Sequence, residues 1–64
     1  MIKINGMMLD ISEITLAEYL KTTTYHPRLI AVELNGEIVP KAKYGETVLK
    51  DGDVLEIVSF VGGG

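Results

Sequence analysis

Few side chains in this sequence could do chemistry. His26 is the only histidine and stands directly before Pro27, where it reads as a solvated loop residue rather than a general base. Asp51 and Asp53 flank Gly52, and two carboxylates around a glycine close a tight turn. A calcium loop would need further oxygen ligands and a distal glutamate that this pattern lacks. With no cysteine there is no thiolate nucleophile, no disulfide framework and no cysteine zinc site. No phosphate-binding loop, serine triad or pair of catalytic carboxylates stands out, so the sequence does not read as an enzyme. What remains is the stretch "FVGGG", in which Phe60 and Val61 close a strand and Gly62, Gly63 and Gly64 follow.

Glycine packs nothing and orders least readily, so a run of it needs a reason. Without Cβ atoms the run is slim enough to thread a narrow channel and present the α-carboxylate of Gly64. Extended at roughly 3.3–3.6 Å per residue, three glycines reach about 10 Å past the strand. A carboxylate is a poor electrophile, so an enzyme using it must first adenylate it with ATP. Ordering such a tail costs about 1–2 kcal/mol per residue in backbone entropy, and more for glycine. An apolar docking patch beside the tail, of the kind Val58, Phe60, Val61 and Ile38 could make, would offset that cost. The competing reading is a loose end with no role.

The elements that must hold this tail are legible in the pattern. Ile2 and Ile4, then Asn5-Gly6, then Met7, Leu9 and Ile11 predict a two-residue hairpin, because a type I′ turn needs φ > 0 at both central positions. Facing Ile4 with Met7 puts all five apolar residues on one face without a slip, and leaves Met8 on the other. One methionine is thus expected in the core. Thr15 followed three residues later by Glu18 is a capping box, with Ile14 and Tyr19 placed for a hydrophobic staple. Leu16, Tyr19, Leu20 and Thr23 fall at helical spacing on one face of a short helix. Pro27 disfavours helix at His26 and ends that segment.

A second hairpin follows in "LIAVELNGEIV". Ile30, Val32 and Leu34 alternate inward, Asn35-Gly36 turns, Val39 returns inward and Ile38 faces out, before Pro40 ends the strand. Residues 41–53 read as irregular, with an Asp51-Gly52 turn. In the last strand, Leu55 and Ile57 face the core, while Glu56, Val58 and Phe60 share the outer face. Tyr19 reads as core, and Tyr25 and Tyr44 as packing or surface residues. The order strand, strand, helix, strand, short strand, strand predicts an α+β fold of the β-grasp kind: a mixed sheet with one main helix packed on one face. Residues 1–61 make that domain, and residues 62–64 a flexible glycine tail.

Composition narrows the partners. The 64 residues are 47% hydrophobic and 23% charged, enough for one modest core. A net charge of −3, with six basic residues in no run, argues against a phosphate backbone as ligand. The first residues lack the apolar core of a signal peptide, and no stretch is long enough for a membrane span, so a cytoplasmic location is expected.

Three stretches then carry a resemblance: "LNGEIVP" from Leu34 to Pro40, "LKDGDVLEIVSFV" from Leu49 to Val61, and the terminal glycines. In that joint spacing the chain resembles the ThiS family, the sulfur carrier proteins of thiamin biosynthesis. The resemblance implies a ubiquitin-like β-grasp with no bound cofactor. It implies that a ThiF-type enzyme adenylates Gly64 with Mg-ATP. A persulfide donor would then supply sulfur for a thiocarboxylate, and thiazole synthase (ThiG) would take it up. The family's diglycine falls on Gly63 and Gly64, with Gly62 an extra glycine that some members carry. Members often have arginine after the proline and a tryptophan a few positions on, where this chain has Lys41 and Tyr44. The small subunit of molybdopterin synthase, which shares tail and chemistry, stays open as an alternative. So do a ubiquitin-like modifier and a β-grasp binding module without a carrier role.

Overall fold

The computed structural model describes residues 1–60. Strand β1 (Ile2–Ile4) turns through Asn5 and Gly6, at φ 49° and 85°, into β2 (Met7–Leu9). Both central residues therefore take the left-handed conformation that a type I′ turn demands. After the short β3 (Ile14–Thr15) comes α1 (Leu16–Lys21). Its capping box is complete, because the Thr15 hydroxyl accepts from the Glu18 amide and the Glu18 carboxylate accepts from the Thr15 amide. The helix ends where the Thr22 and Thr23 hydroxyls donate to the Tyr19 and Leu20 carbonyls, each at 2.7 Å. Such back-bonding competes with helix continuation. A single 3-10 turn, Pro27–Leu29, leads into β4 (Ile30–Leu34), and Asn35-Gly36 repeats the same left-handed turn into β5 (Glu37–Ile38). A second 3-10 turn, Lys41–Lys43, precedes β6 (Val48–Leu49) and the long β7 (Val54–Ser59).

Five strands form one sheet in the order β2-β1-β7-β4-β5. β7 lies in the middle, parallel to β1 and antiparallel to β4, with Leu55 opposite both Ile4 and Leu34. This mixed sheet with a helix on one face is the β-grasp arrangement that the element order predicts. The core sits between sheet and helix and includes Ile2, Ile4, Leu16, Leu20, Ile30, Val32, Leu55 and Ile57. Leu49 and Tyr44 join it from the stretch that the sequence reads as irregular. There, β6 pairs with β3, Ile14 against Leu49, so that Ile14 takes part in a two-stranded ladder beside the main sheet.

One expectation is overturned. Met7 lies opposite Ile4 as the turn requires, yet neither methionine is in the core: Met7 is 66% exposed and Met8 56%. The reason is reach. Six residues make about 9 Å of helix, against roughly 19 Å across five strands. The edge strand β2 therefore extends past the cover that α1 provides.

Candidate functional site

The candidate site within the described residues is the outer face of β7. Val58 and Phe60 lie on that face, 59% and 62% exposed. Ala31 stands directly opposite Val58 on β4, and the Phe60 amide donates to the Leu29 carbonyl at 2.7 Å. Phe60 is thereby held to the start of β4 just where the described chain stops. Ile38 shares the face but stands two strands away on β5, opposite Glu33. The predicted patch thus resolves into an apolar pair at the root of the tail and a separate apolar residue at the sheet edge. Val61, Gly62, Gly63 and Gly64 lie outside the described residues.

Two turn asparagines fasten β7 from either side. Asn5 Oδ1 accepts from the Ile57 amide at 2.7 Å, while its Nδ2 donates to the Ile57 carbonyl at 3.2 Å and to the Tyr25 hydroxyl at 3.1 Å. The side chain thus continues the β1–β7 ladder past the point where the backbone turns away. On the other side, Asn35 Oδ1 accepts from the Val54 amide at 2.9 Å and Nδ2 donates to Asp53. Turn geometry selects these asparagines in sequence; their bonds to β7 show only in three dimensions.

A pair of residues passed over in the sequence also lies on the outer face. Glu33 on β4 stands directly opposite Glu56 on β7. A shallow depression of about 420 Å³, lined by Glu33, Asn35, Gly36, Val54 and Glu56, opens there. Strand parity points Glu56 outward, but only the β4–β7 register brings the two carboxylates together.

The remaining polar residues have local tasks. The His26 ring Nδ1 accepts from the Arg28 amide and caps the 3-10 turn. Asp53 accepts from the Lys50 amide at 2.8 Å and closes the turn before β7, while Asp51 pairs with the N-terminal amine and ties that turn to the start of β1. Lys41 Nζ donates to the Ile30 carbonyl at 3.2 Å. Burial pushes the Tyr44 phenol above its ordinary pKa of 10.0. Burial does the same to Tyr19, with the neighbouring Tyr25 adding to the shift. Among the described residues no group of three or more His, Cys, Asp or Glu side chains is placed to hold a metal. No helix among them is long and apolar enough to cross a membrane.

Comparison with known proteins adds the following. The sequence model of the ThiS family matches residues 2–64. The sulfur carrier protein ThiS of Bacillus subtilis is 44% identical over 50 residues, covering 78% of this chain and 76% of that one. A thiazole synthase of Paramagnetospirillum magneticum is 60% identical over 37 residues, 58% of this chain but only 11% of the relative's length. The crystal structure of the thiamine biosynthesis protein ThiS from Geobacter metallireducens superposes with a TM-score of 0.79 at 31% identity, covering 98% of this chain and 97% of that one.

Proposed function

The chain belongs to the ThiS family, and from that premise we propose that it is a sulfur carrier of thiamin biosynthesis whose working group is the α-carboxylate of Gly64. The observation that carries this reading is the family match, which runs to residue 64 and so takes in all three terminal glycines. The fold supports it, because the described chain ends on the central strand of the sheet beside an exposed apolar pair, Val58 and Phe60.

In this reading the carrier is a substrate and its partners are the catalysts. A ThiF-type enzyme binds the chain together with Mg-ATP. The Gly64 carboxylate attacks the α-phosphorus and releases pyrophosphate. A persulfide sulfur on a donor protein then attacks the acyl carbon and expels AMP. A thiol cleaves the resulting acyl disulfide, is itself oxidised, and leaves the thiocarboxylate on Gly64. Thiazole synthase takes that sulfur, and relatives that carry a similar segment within a thiazole synthase chain support the pairing. Gly62 and Gly63 let the end thread the partner's channel, since any Cβ would widen it. Val58 and Phe60, with Val61, dock the domain while the three glycines reach about 10 Å into the site. Ile38 adds a contact at the edge of the same face. The ATP and the reduced thiols that this reaction sequence consumes support a cytoplasmic location.

The test is intact mass after incubation with a ThiF-type enzyme, Mg-ATP and a sulfide source. A gain equal to sulfur replacing one oxygen, abolished by deletion of Gly64, is the expected result. An unchanged mass beside an enzyme active on its own carrier sinks the reading.

A further inference from the structure

The two hairpins turn on the same dipeptide and hold it differently. Asn5-Gly6 and Asn35-Gly36 share a left-handed backbone, with φ 49° and 53° at the asparagines and 85° and 88° at the glycines. Asparagine followed by glycine is also the pair that loses its side-chain amide most readily. The glycine amide nitrogen attacks the asparagine Cγ, ammonia leaves, and water opens the resulting succinimide to aspartate or isoaspartate. Glycine favours the attack because it has no Cβ to shield its nitrogen. Among the described residues neither glycine amide donates to a backbone carbonyl. Apart from the adjacent residues, no atom lies within 4 Å of where a Cβ would stand on either one.

What differs is the hold on the leaving amide. Both asparagine backbones donate to β7 or its start, Asn5 to the Leu55 carbonyl at 3.0 Å and Asn35 to the Val54 carbonyl at 2.7 Å. Asn5 Nδ2 has two acceptors, the Ile57 carbonyl at 3.2 Å and the Tyr25 hydroxyl at 3.1 Å, and both bonds of this side chain to Ile57 are partly buried. Asn35 Nδ2 has one acceptor, Asp53 Oδ1 at 3.1 Å, and both side-chain bonds of Asn35 are exposed. Its hairpin also closes on the two-residue β5, against three residues in β2. To form the succinimide the side chain must leave these partners and fold back on its own backbone. Asn35 gives up less in doing so.

We propose that Asn35-Gly36 is a site of spontaneous deamidation in the folded protein, that Asn5-Gly6 is protected by its clamp on Ile57 and Tyr25, and that reaction at Asn35 unfastens the start of β7. The net change is one water taken up and one ammonia released, with no other reactant. In the aspartate product an oxygen stands where Nδ2 stood, so two carboxylates meet across the 3.1 Å that the hydrogen bond to Asp53 now spans. Like charges at that distance repel, and the donor that joined the turn to Asp53 is gone. The isoaspartate product adds a methylene to the main chain and spoils the two-residue turn between Leu34 and Glu37. The inference goes beyond the carrier reading and does not depend on it.

The experiment ages the full chain at mildly alkaline pH, folded and in parallel in denaturant. Cleavage after the basic residues puts Asn5 in the peptide 4–21 and Asn35 in the peptide 29–41. Mass spectrometry scores each for exchange of –NH2 by –OH and for isoaspartate. In the folded chain Asn35 should react about fivefold faster than Asn5, the factor that one further hydrogen bond contributes. In denaturant that preference should shrink. Y25F removes one acceptor from Asn5 and should speed reaction there while leaving Asn35 unchanged. The site assignment is overturned if Asn5 reacts as fast as Asn35 in the folded chain, or if the same preference persists in denaturant. The consequence is tested by thermal midpoints. N35D should lower the midpoint, and the exchange N35D/D53N should restore most of it, since one side chain again donates to the other and the Lys50 amide keeps an acceptor. A midpoint unchanged in N35D, or no higher in N35D/D53N than in N35D, overturns the unfastening of β7.

Discussion

The two faces of β7 carry similar residues and have opposite fates. Leu55 and Ile57 point inward, where Leu55 is fully buried beneath the helix. Val58 and Phe60, no less apolar, point outward and stay largely exposed. Hydrophobicity alone therefore does not mark the core of so small a domain. Which face of the sheet α1 covers does. On this strand an apolar residue on the uncovered face contributes little to folding, so its task is to be sought in binding.

Substitutions on opposite faces of this one strand should separate most widely. Leu55→Ala removes a fully buried side chain and should cost about 2–5 kcal/mol, a large fraction of what a domain of this size has. Phe60→Asp on the outer face should change stability by no more than about 0.5 kcal/mol, while weakening binding to the adenylating enzyme at least about tenfold. Denaturant unfolding and a titration against that enzyme measure the two. Equal losses of stability would erase the distinction between the faces, and unchanged affinity would return Phe60 to a packing role.

A smaller effect tests whether β7 is fastened at its sides. Asn5→Gly keeps the left-handed turn that Asn5 adopts at φ 49° and deletes only the side chain. The Ile57 amide and carbonyl then lose their partner, at a cost of about 1–3 kcal/mol. Asn5→Ala should lose more, because alanine resists that backbone conformation. If both variants unfold at the same denaturant concentration as the parent, the side-chain extension of the ladder adds nothing.

What could be read in the sequence follows the same division. The two Asn-Gly turns, the capping box and the alternation in β7 are local signals with strict geometric demands, and the structure contains each of them. The pairing of β3 with β6 was not legible, since two residues per strand show no period. Tyr44 entering the core was equally hidden, because a 3-10 turn leaves no apolar rhythm to follow. The exposure of Met7 escaped for another reason: its parity was right, but parity cannot tell how far a helix reaches. At the candidate site, the outward Val58 and Phe60 were read from alternation, whereas the Glu33–Glu56 opposition depends on a register between strands more than twenty residues apart.

The smallest effect sharpens the comparison from the inner side alone. Tyr44 packs in the core layer, and its burial raises the phenol above the ordinary 10.0. The sign follows from which state releases its proton first. Below about pH 10 the phenol is neutral in both states, and its contribution to stability is fully present. As pH rises further, the unfolded chain ionises before the folded one, so stability falls and the contribution is lost through the folded pKa. Tyr19, raised by burial and by Tyr25, moves in the same direction. Thermal midpoints of the parent should therefore be level between pH 7 and 9 and decline above about 10. Tyr44→Phe keeps the ring in place and should make that decline shallower without abolishing it, because Tyr19 remains. An equally steep decline in the variant would show that alkaline pH acts elsewhere, and that the Tyr44 ring is not held in the layer that also buries Leu55.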